Sequence, residues 1–233
     1  NYNNKFVLKS EISTGAGAVQ EIVYKKIVDK GYDVVVAVGG DGTINEVARA
    51  LVHTKTSLGV IPCGSGNGFA RHIGIPMDVK KAIDFINKAE HTKIDYGKLN
   101  DIPFFCACGV GFDALVSNDF AKGNTRGLAS YVQKTLIDWV NYKPEVYEVV
   151  VDSVKKKYKA FLIACGNASQ YGNNAYIAPL ASMEDGLMDV IIMEPLRGGR
   201  LVDKLPEKAK KLFADYPIKR SPAQWGLHWL WDQ

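Results

Sequence analysis

Five residues, Val34-Val35-Val36-Ala37-Val38, run without a polar break and end directly on Gly39-Gly40-Asp41-Gly42-Thr43. A short β-branched run of this kind reads as a buried strand of a parallel sheet. The segment 44–52 follows, with apolar residues at 44, 47, 48, 51 and 52, the spacing of one helix face. Residues 58–61 repeat the strand pattern, and a second glycine-rich loop occupies 62–68. Asp78 is placed to cap a helix running to residue 90, with Val79, Ala82, Ile83 and Ile86 facing inward. An earlier helix is expected over 19–27. Strand, loop, helix, strand, loop, helix predicts an α/β domain with a parallel sheet.

The rhythm changes near residue 92. Strands are expected over 94–99, 104–110, 147–151, 159–165 and 187–193, with one helical excursion over 112–142. The expected fold is therefore α/β plus mostly β. An N-terminal parallel-sheet α/β domain (1–92) precedes a β-sandwich-like domain with a helical insertion (93–195) and a C-terminal helix and tail (196–233).

The chain has 233 residues, enough for one large or two small cores, and its net charge of +4 is too mild to mark a nucleic-acid binder. Its densest basic run, Lys155-Lys156-Lys157, is expected at a hairpin turn. Four cysteines without a C-x-x-C pair read as free thiols of a reducing compartment. No apolar stretch approaches 18 residues and no signal-peptide pattern opens the chain, so a cytoplasmic location is expected.

The segment 39–43 lies where a phosphate binder belongs. Glycines let backbone N–H groups approach an anion with no Cβ in the way, and the following helix adds free donors and its positive dipole end. Thr43 offers a hydroxyl. Asp41 cannot bind phosphate itself, so it must serve a cation, a hydroxyl or a turn hydrogen bond. A tight turn with no ligand is the plain alternative, but glycines in this strand-to-helix setting meet the condition a phosphate motif requires. The second loop, Gly64-Ser65-Gly66-Asn67-Gly68, is neither a dinucleotide G-x-G-x-x-G nor a P-loop, since it lacks the lysine. Ser65 is its natural side-chain donor. Arg71 reads equally as added charge or as an ordinary surface arginine.

The segment 38–47 (VGGDGTINEV), followed by 62–71 (PCGSGNGFAR) and Gly74-Ile75-Pro76, resembles the diacylglycerol kinase catalytic-domain family. The likeness is greatest to soluble bacterial lipid kinases related to diacylglycerol and sphingosine kinases. It continues through 109–114 (GVGFDA), Arg126-Gly127, Asn167, Tyr171-Gly172, Ala178-Pro179 and 184–187 (EDGL), covering about residues 10–195. The resemblance implies ATP and Mg²⁺ as cofactors. ATP would contact Gly39, Gly40, Asp41, Gly42, Thr43, Ile44, Asn45, Glu46 and Ser65, and Ser10 stands where the family has a Thr-Glu segment near the nucleotide. A structural Mg²⁺ would fall on Asp185 with Ser182 and Leu187, where the plain reading of 184–186 is a hairpin turn. The family's first strand with its Asn-Pro-x-Ser-Gly loop is not matched before Ser10. Its C-terminal Asp-Gly-Glu, bearing a proposed general base, is not matched beyond Arg197. Asp41 is the best remaining catalytic carboxylate.

The expected activity is transfer of the ATP γ-phosphate to a lipid hydroxyl, of diacylglycerol or sphingoid type. The enzyme would touch the membrane transiently from the cytoplasmic side, bind no nucleic acid, and have a homodimer as one oligomeric option. A NAD kinase-like enzyme and a catalytically inactive nucleotide- or lipid-binding relative are the alternatives. The lysines of a predicted 200–214 helix with the terminal tryptophans could serve as a membrane anchor, although a solvated face explains them as well.

Overall fold

The computed structural model describes residues 19, 22, 23, 30–112, 114, 115 and 142–195. Ser10, the expected 200–214 helix, most of the 112–142 excursion and all of the expected 19–27 helix but residues 19, 22 and 23, which are helical, lie outside the described residues.

The first strand, β1 (Val34–Gly39), pairs in parallel with β2 (Ser57–Pro62), in register from Val34 opposite Ser57 to Gly39 opposite Pro62. Helix α1 (Asp41–Leu51) connects them, the crossover that parallel neighbours require. Its buried residues Ile44, Val47, Ala48, Ala50 and Leu51 form one core with Val35, Ala37 and Val60. Complete burial of an aliphatic side chain such as Ile44 contributes about 1.5–3 kcal/mol relative to leaving it in water.

The expected all-buried strand is corrected to a half-buried one. Val35 and Ala37 are buried, while Val34, Val36 and Val38 are exposed. Side chains alternate across a strand, so each face needs its own cover. Helix α3 (Val79–Ile86) approaches the second face near Gly59, where Ile86 stands beside Val34 and Val36 without closing the face. Asp78 caps α3 as its position predicts, accepting the Lys81 N–H at 2.9 Å. Of the four inward positions expected on that helix, Ala82 is buried, while Val79 and Ile83 are exposed. Between β2 and α3 lies a short helix, α2 (Gly68–His72).

The later chain is strand-rich. A hairpin joins β3 (Gly97–Leu99) to β4 (Ile102–Phe104), and β5 (Ala107–Gly111), β8 (Leu162–Gly166) and β9 (Asp189–Met193) form a sheet in the order β5–β8–β9. A second hairpin pairs β6 (Glu145–Val151) with β7 (Val154–Ala160). Its turn is Asp152-Ser153, both at positive φ, the conformation that two-residue hairpin loops demand. The lysines 155–157, expected at a turn, are therefore in strand β7.

Two compact units result, Asn1–Cys108 with Cys165–Ile191, and Gly109–Ala164 with Ile192–Gln233. The chain leaves the first unit after Cys108 and re-enters it at Cys165, so that unit is discontinuous in sequence. Its core accordingly includes Phe105, Ala168 and Met183 beside the residues of β1, α1 and β2. The second unit has an aromatic cluster in which Phe112 and Phe161 lie 4.5 Å apart and Tyr142 meets both edge-on. Among the described residues no helix is long and apolar enough to cross a membrane.

Candidate functional site

Helix α1 begins at Asp41, three residues earlier than its apolar pattern suggests. Gly40 is the extended N-cap residue, and the first helical bond runs from the Ile44 N–H to the Gly40 carbonyl at 3.0 Å. The N–H groups of Asp41, Gly42 and Thr43 thus belong to the first turn and have no acceptor within the helix. Thr43 folds back over Gly39, where a Cβ would stand 2.7 Å from its Oγ1. At Gly42 a Cβ would meet nothing within 4 Å among the described residues. Ile44 is buried, Asn45 and Glu46 are half-buried, and Ser65 is exposed on the second loop.

The two glycine loops touch. The Cys63 N–H donates to the Gly39 carbonyl at 2.8 Å, and a Cβ on Gly64 would stand 2.5 Å from the Gly40 Cα. Asn67 organises the second loop from a left-handed conformation, at φ 53°. Its Oδ1 accepts the Gly64 N–H at 2.9 Å and its Nδ2 donates to the Gly64 carbonyl at 2.8 Å. Asparagine tolerates this backbone region better than most residues, and its amide serves both polar groups of one peptide neighbourhood.

With its side chain spent on Gly64, Asn67 does not cap α2. Asp41 does so from the other loop: its Oδ1 accepts the Phe69 N–H at 3.1 Å. The other oxygen, Oδ2, would be 3.3 Å from a Cβ on Gly66. A carboxylate at a helix N-terminus is favoured by both hydrogen bond and dipole. Of the three roles the sequence leaves for Asp41, a structural hydrogen bond is therefore occupied.

A third segment, 169–174, backs the second loop. Gly172, at φ 124°, bridges Asn67, and a Cβ on it would fall 2.6 Å from the Gly66 carbonyl carbon. The Gly66 carbonyl accepts from the Asn173 N–H at 3.1 Å and from the Arg71 Nε at 3.1 Å. Arg71 is thus tied to the loop backbone, which favours neither a free phosphate-binding arm nor an idle surface residue. His72 Nδ1 accepts the Ser169 N–H at 3.1 Å and lies 2.9 Å from its Oγ. Burial lowers the His72 pKa below the usual histidine value.

Asn167 is fully buried beneath this segment. Its Nδ2 donates to the carbonyls of Asp95 and Phe105, each at 2.9 Å, and its N–H donates to the Cys106 carbonyl at 2.7 Å. Among the described residues its Oδ1 has no hydrogen-bond partner. The Cys106 thiol is pushed up to about 12, first by burial and then by the Asp41 carboxylate.

The 182–187 segment is a turn. Asp185 Oδ1 accepts the Leu187 N–H at 3.0 Å, and Ser182 Oγ accepts the Glu184 N–H at 3.2 Å. Asp95 Oδ2 anchors the turn through the Gly186 N–H at 2.6 Å. Among the described residues no group of three His, Cys, Asp or Glu side chains is assembled to hold a metal. A cation here would depend on one carboxylate plus backbone carbonyls, an oxygen-only set suited to a hard ion that keeps its waters.

The roles of Asn67, His72 and Ser169, and of Asp41 toward α2, are absent from the sequence reading. Asn167 and Tyr171-Gly172 enter it only through the family resemblance. A glycine-rich loop with an asparagine before its helix was the available signal for Asn67.

Residues 3–99 match the family model of the diacylglycerol kinase catalytic domain, and residues 106–218 match that of the YegS C-terminal NAD kinase beta sandwich-like domain. The fold is thus a parallel α/β domain followed by a β-sandwich-like one. The chain is homologous to the YegS/diacylglycerol kinase catalytic-domain family. It is 30% identical over 184 residues to a protein of Chromohalobacter salexigens named "Probable lipid kinase YegS-like", covering 76% of this chain and 59% of that one. It is 32% identical over 176 residues to a diacylglycerol kinase of Mycobacterium tuberculosis, covering 72% of this chain and 57% of that one. A crystal structure of a diacylglycerol kinase from Bacillus anthracis shares the fold with a TM-score of 0.64 at 22% identity, over 78% of this chain and 62% of that one. The chain spans about three fifths of the length of the curated relatives it matches.

Proposed function

We propose that this chain carries the nucleotide-binding core of an ATP-dependent lipid kinase, which transfers the γ-phosphate to a hydroxyl of a diacylglycerol- or sphingoid-type lipid. The observation that carries this reading is the junction of the two glycine loops, Gly40 against Gly64. It brings the loop that carries the exposed Ser65 against the N-cap residue of α1, a helix whose first-turn amides have no acceptor within the helix itself. At Gly42 no atom of the described residues would meet a Cβ within 4 Å, whereas close approach of a phosphate would favour a glycine there. Helix-terminal donors and glycine backbones are the usual means of holding a triphosphate.

Phosphoryl transfer needs positioning and charge stabilisation more than covalent chemistry from the protein. Gly39, Gly40, Gly42, Thr43 and Ser65 would hold the phosphates, with Ile44, Asn45 and Glu46 continuing the helix behind them and Ser10 a further contact. Asp41, held by its Oδ1, would use its other oxygen to take the proton from the lipid hydroxyl. Mg²⁺, when bound, offsets charge on the β- and γ-phosphates. A second, structural Mg²⁺ would sit at Asp185 with the Ser182 and Leu187 carbonyls. The enzyme would contact the cytoplasmic face of a membrane transiently.

The test is radiolabelled ATP with a panel of diacylglycerol, sphingoid base and isoprenoid alcohol, comparing the parent with Asp41→Asn. The parent should label a lipid, and the variant should be slower by at least about a hundredfold with an unchanged melt. Equal rates would remove Asp41 from the chemistry. Labelling of NAD instead of lipid would favour the NAD kinase-like alternative, and no product at all the inactive one.

A further inference from the structure

The β6–β7 hairpin of the second unit carries a face that the proposed chemistry does not use. Cross-strand pairs Val146–Lys159, Glu148–Lys157 and Val150–Lys155 alternate with the other pairs along the ribbon, so these six side chains share one side. All six are exposed, Val146 at 66% and Val150 at 62%. Glu148 is paired with Lys155 at 2.7 Å, which leaves the face with a net charge of two positives from its three lysines and one glutamate.

Lysines on a two-stranded ribbon discourage unwanted strand addition, and that alone would explain the charge. It does not explain two exposed valines among them, because β-branched apolar residues on such a ribbon invite the pairing that the lysines oppose. On this face the three lysines line β7, while Val146 and Val150 flank Glu148 on β6; a basic row beside two apolar side chains matches a surface that is anionic outside and apolar just beneath. A lysine stem can lie along apolar material while its ammonium stays at the polar level. Nucleic acid fits less well, since base stacking calls for aromatics and Tyr147 and Tyr158 are half-buried on the opposite side.

We infer that the face formed by Val146, Val150, Lys155, Lys157 and Lys159 docks this protein onto an anionic lipid bilayer. The choice of occupant rests on the lipid-kinase reading; the charge and apolar pattern stand without it. Docking would hold the chain at the surface where its acceptor resides, by attraction that acts within a Debye length and by shallow insertion of the two valines.

The experiment is co-sedimentation of the full chain with phosphatidylcholine vesicles, with and without phosphatidylglycerol. The chain should pellet only with the anionic vesicles. Replacing Lys155, Lys157 and Lys159 together by Gln should weaken partitioning on the order of a hundredfold and remove most of its salt dependence. Val146→Ser with Val150→Ser should weaken it about tenfold and leave the salt dependence in place. If the lysine variant melts early, the valine pair and Lys157→Gln alone carry the test, each expected to lower partitioning. Variants that sediment like the parent, or a parent that ignores phosphatidylglycerol, overturn the proposal. So does a concentration-dependent dimer that the same substitutions dissolve while vesicle binding stays as in the parent. Phosphorylation of a short-chain, water-soluble diacylglycerol separates the two readings. If the lysine variant keeps parental turnover there and loses vesicles, both stand. If no lipid is phosphorylated while binding stays lysine-dependent, only the kinase reading falls.

Discussion

A methyl group on Gly64 would stand 2.5 Å from the Cα of Gly40, so the two glycine-rich loops meet backbone against backbone. That contact separates glycines the fold needs from one it does not. Gly64→Ala has only backbone to push against and should cost about 1–3 kcal/mol, as overpacking usually does. Gly42→Ala enters open space within a helix and should be neutral, or stabilise by about 0.5–1 kcal/mol. On the kinase reading the same Gly42→Ala should raise the KM for ATP at least about tenfold, since about 1.4 kcal/mol of lost binding suffices. Melting curves and ATP kinetics of the two variants check both statements. A Gly42→Ala enzyme with parental KM would place the phosphates elsewhere.

Asp41 should show two separable effects. Asp41→Asn keeps an oxygen acceptor for the Phe69 N–H and should melt close to the parent. Asp41→Ala leaves the α2 N-terminus without its cap and should lose about 1 kcal/mol. Chemical denaturation of the pair measures the difference. Identical stabilities would mean that the carboxylate does not fasten the second loop.

Stability should fall in mild acid through His72. Its Nδ1 accepts the Ser169 N–H, which it can do only when unprotonated there. Its folded pKa is lowered by burial from 6.5, so the unfolded chain binds the proton more readily. This contribution is therefore complete above the unfolded value and is lost as pH falls through the folded one. Denaturation midpoints of the parent should decline between neutral pH and pH ~5. In His72→Gln that part of the decline should disappear. Parallel pH profiles for the two proteins would exclude the linkage.

Thiol reactivity should sort the cysteines by position. Cys63 is exposed at the start of the second loop, whereas the Cys106 thiol, at about 12, is almost wholly protonated at neutral pH. Iodoacetamide should alkylate Cys63 in the native protein and spare Cys106, as read by peptide mass spectrometry. Saturating ATP should slow labelling of Cys63. A labelling rate indifferent to ATP would count against a nucleotide over this loop.

Asn167→Ala should be among the more damaging single changes. It leaves the buried Asp95 and Phe105 carbonyls without the Nδ2 donor they share and opens a small cavity, together about 2–4 kcal/mol. Urea unfolding provides the number. A loss below about 0.5 kcal/mol would mean that water replaces the amide at little cost.

Much of the first unit was legible because its signals are local. The valine run, the glycines that end it and the helical spacing of Ile44, Val47, Ala48 and Leu51 follow one another within twenty residues, and each has a steric or hydrophobic cause. The cap at Asp78 is equally local. Less legible was which face of β1 would be covered, because an apolar run states what a strand prefers and not what packs on it. The 155–157 lysines were misplaced for a related reason: charge marks exposure, and a strand can be as exposed as a turn. The true turn depends on the positive φ of Asp152 and Ser153, a weaker signal than a glycine.

The amino-acid order alone determined the parallel α/β beginning, the strand-rich continuation and the family, since periodicity and motif spacing are properties of neighbours along the chain. Tertiary structure decided what those motifs are joined to. It spent Asp41 on the N-terminus of α2, set Gly172 against Gly66, and returned the chain at Cys165 so that Asn167 could hold Asp95 and Phe105. These partners lie between 28 and 106 positions apart, and no local preference encodes such a meeting. It arises because buried donors must find acceptors and packed backbones leave no room for a Cβ.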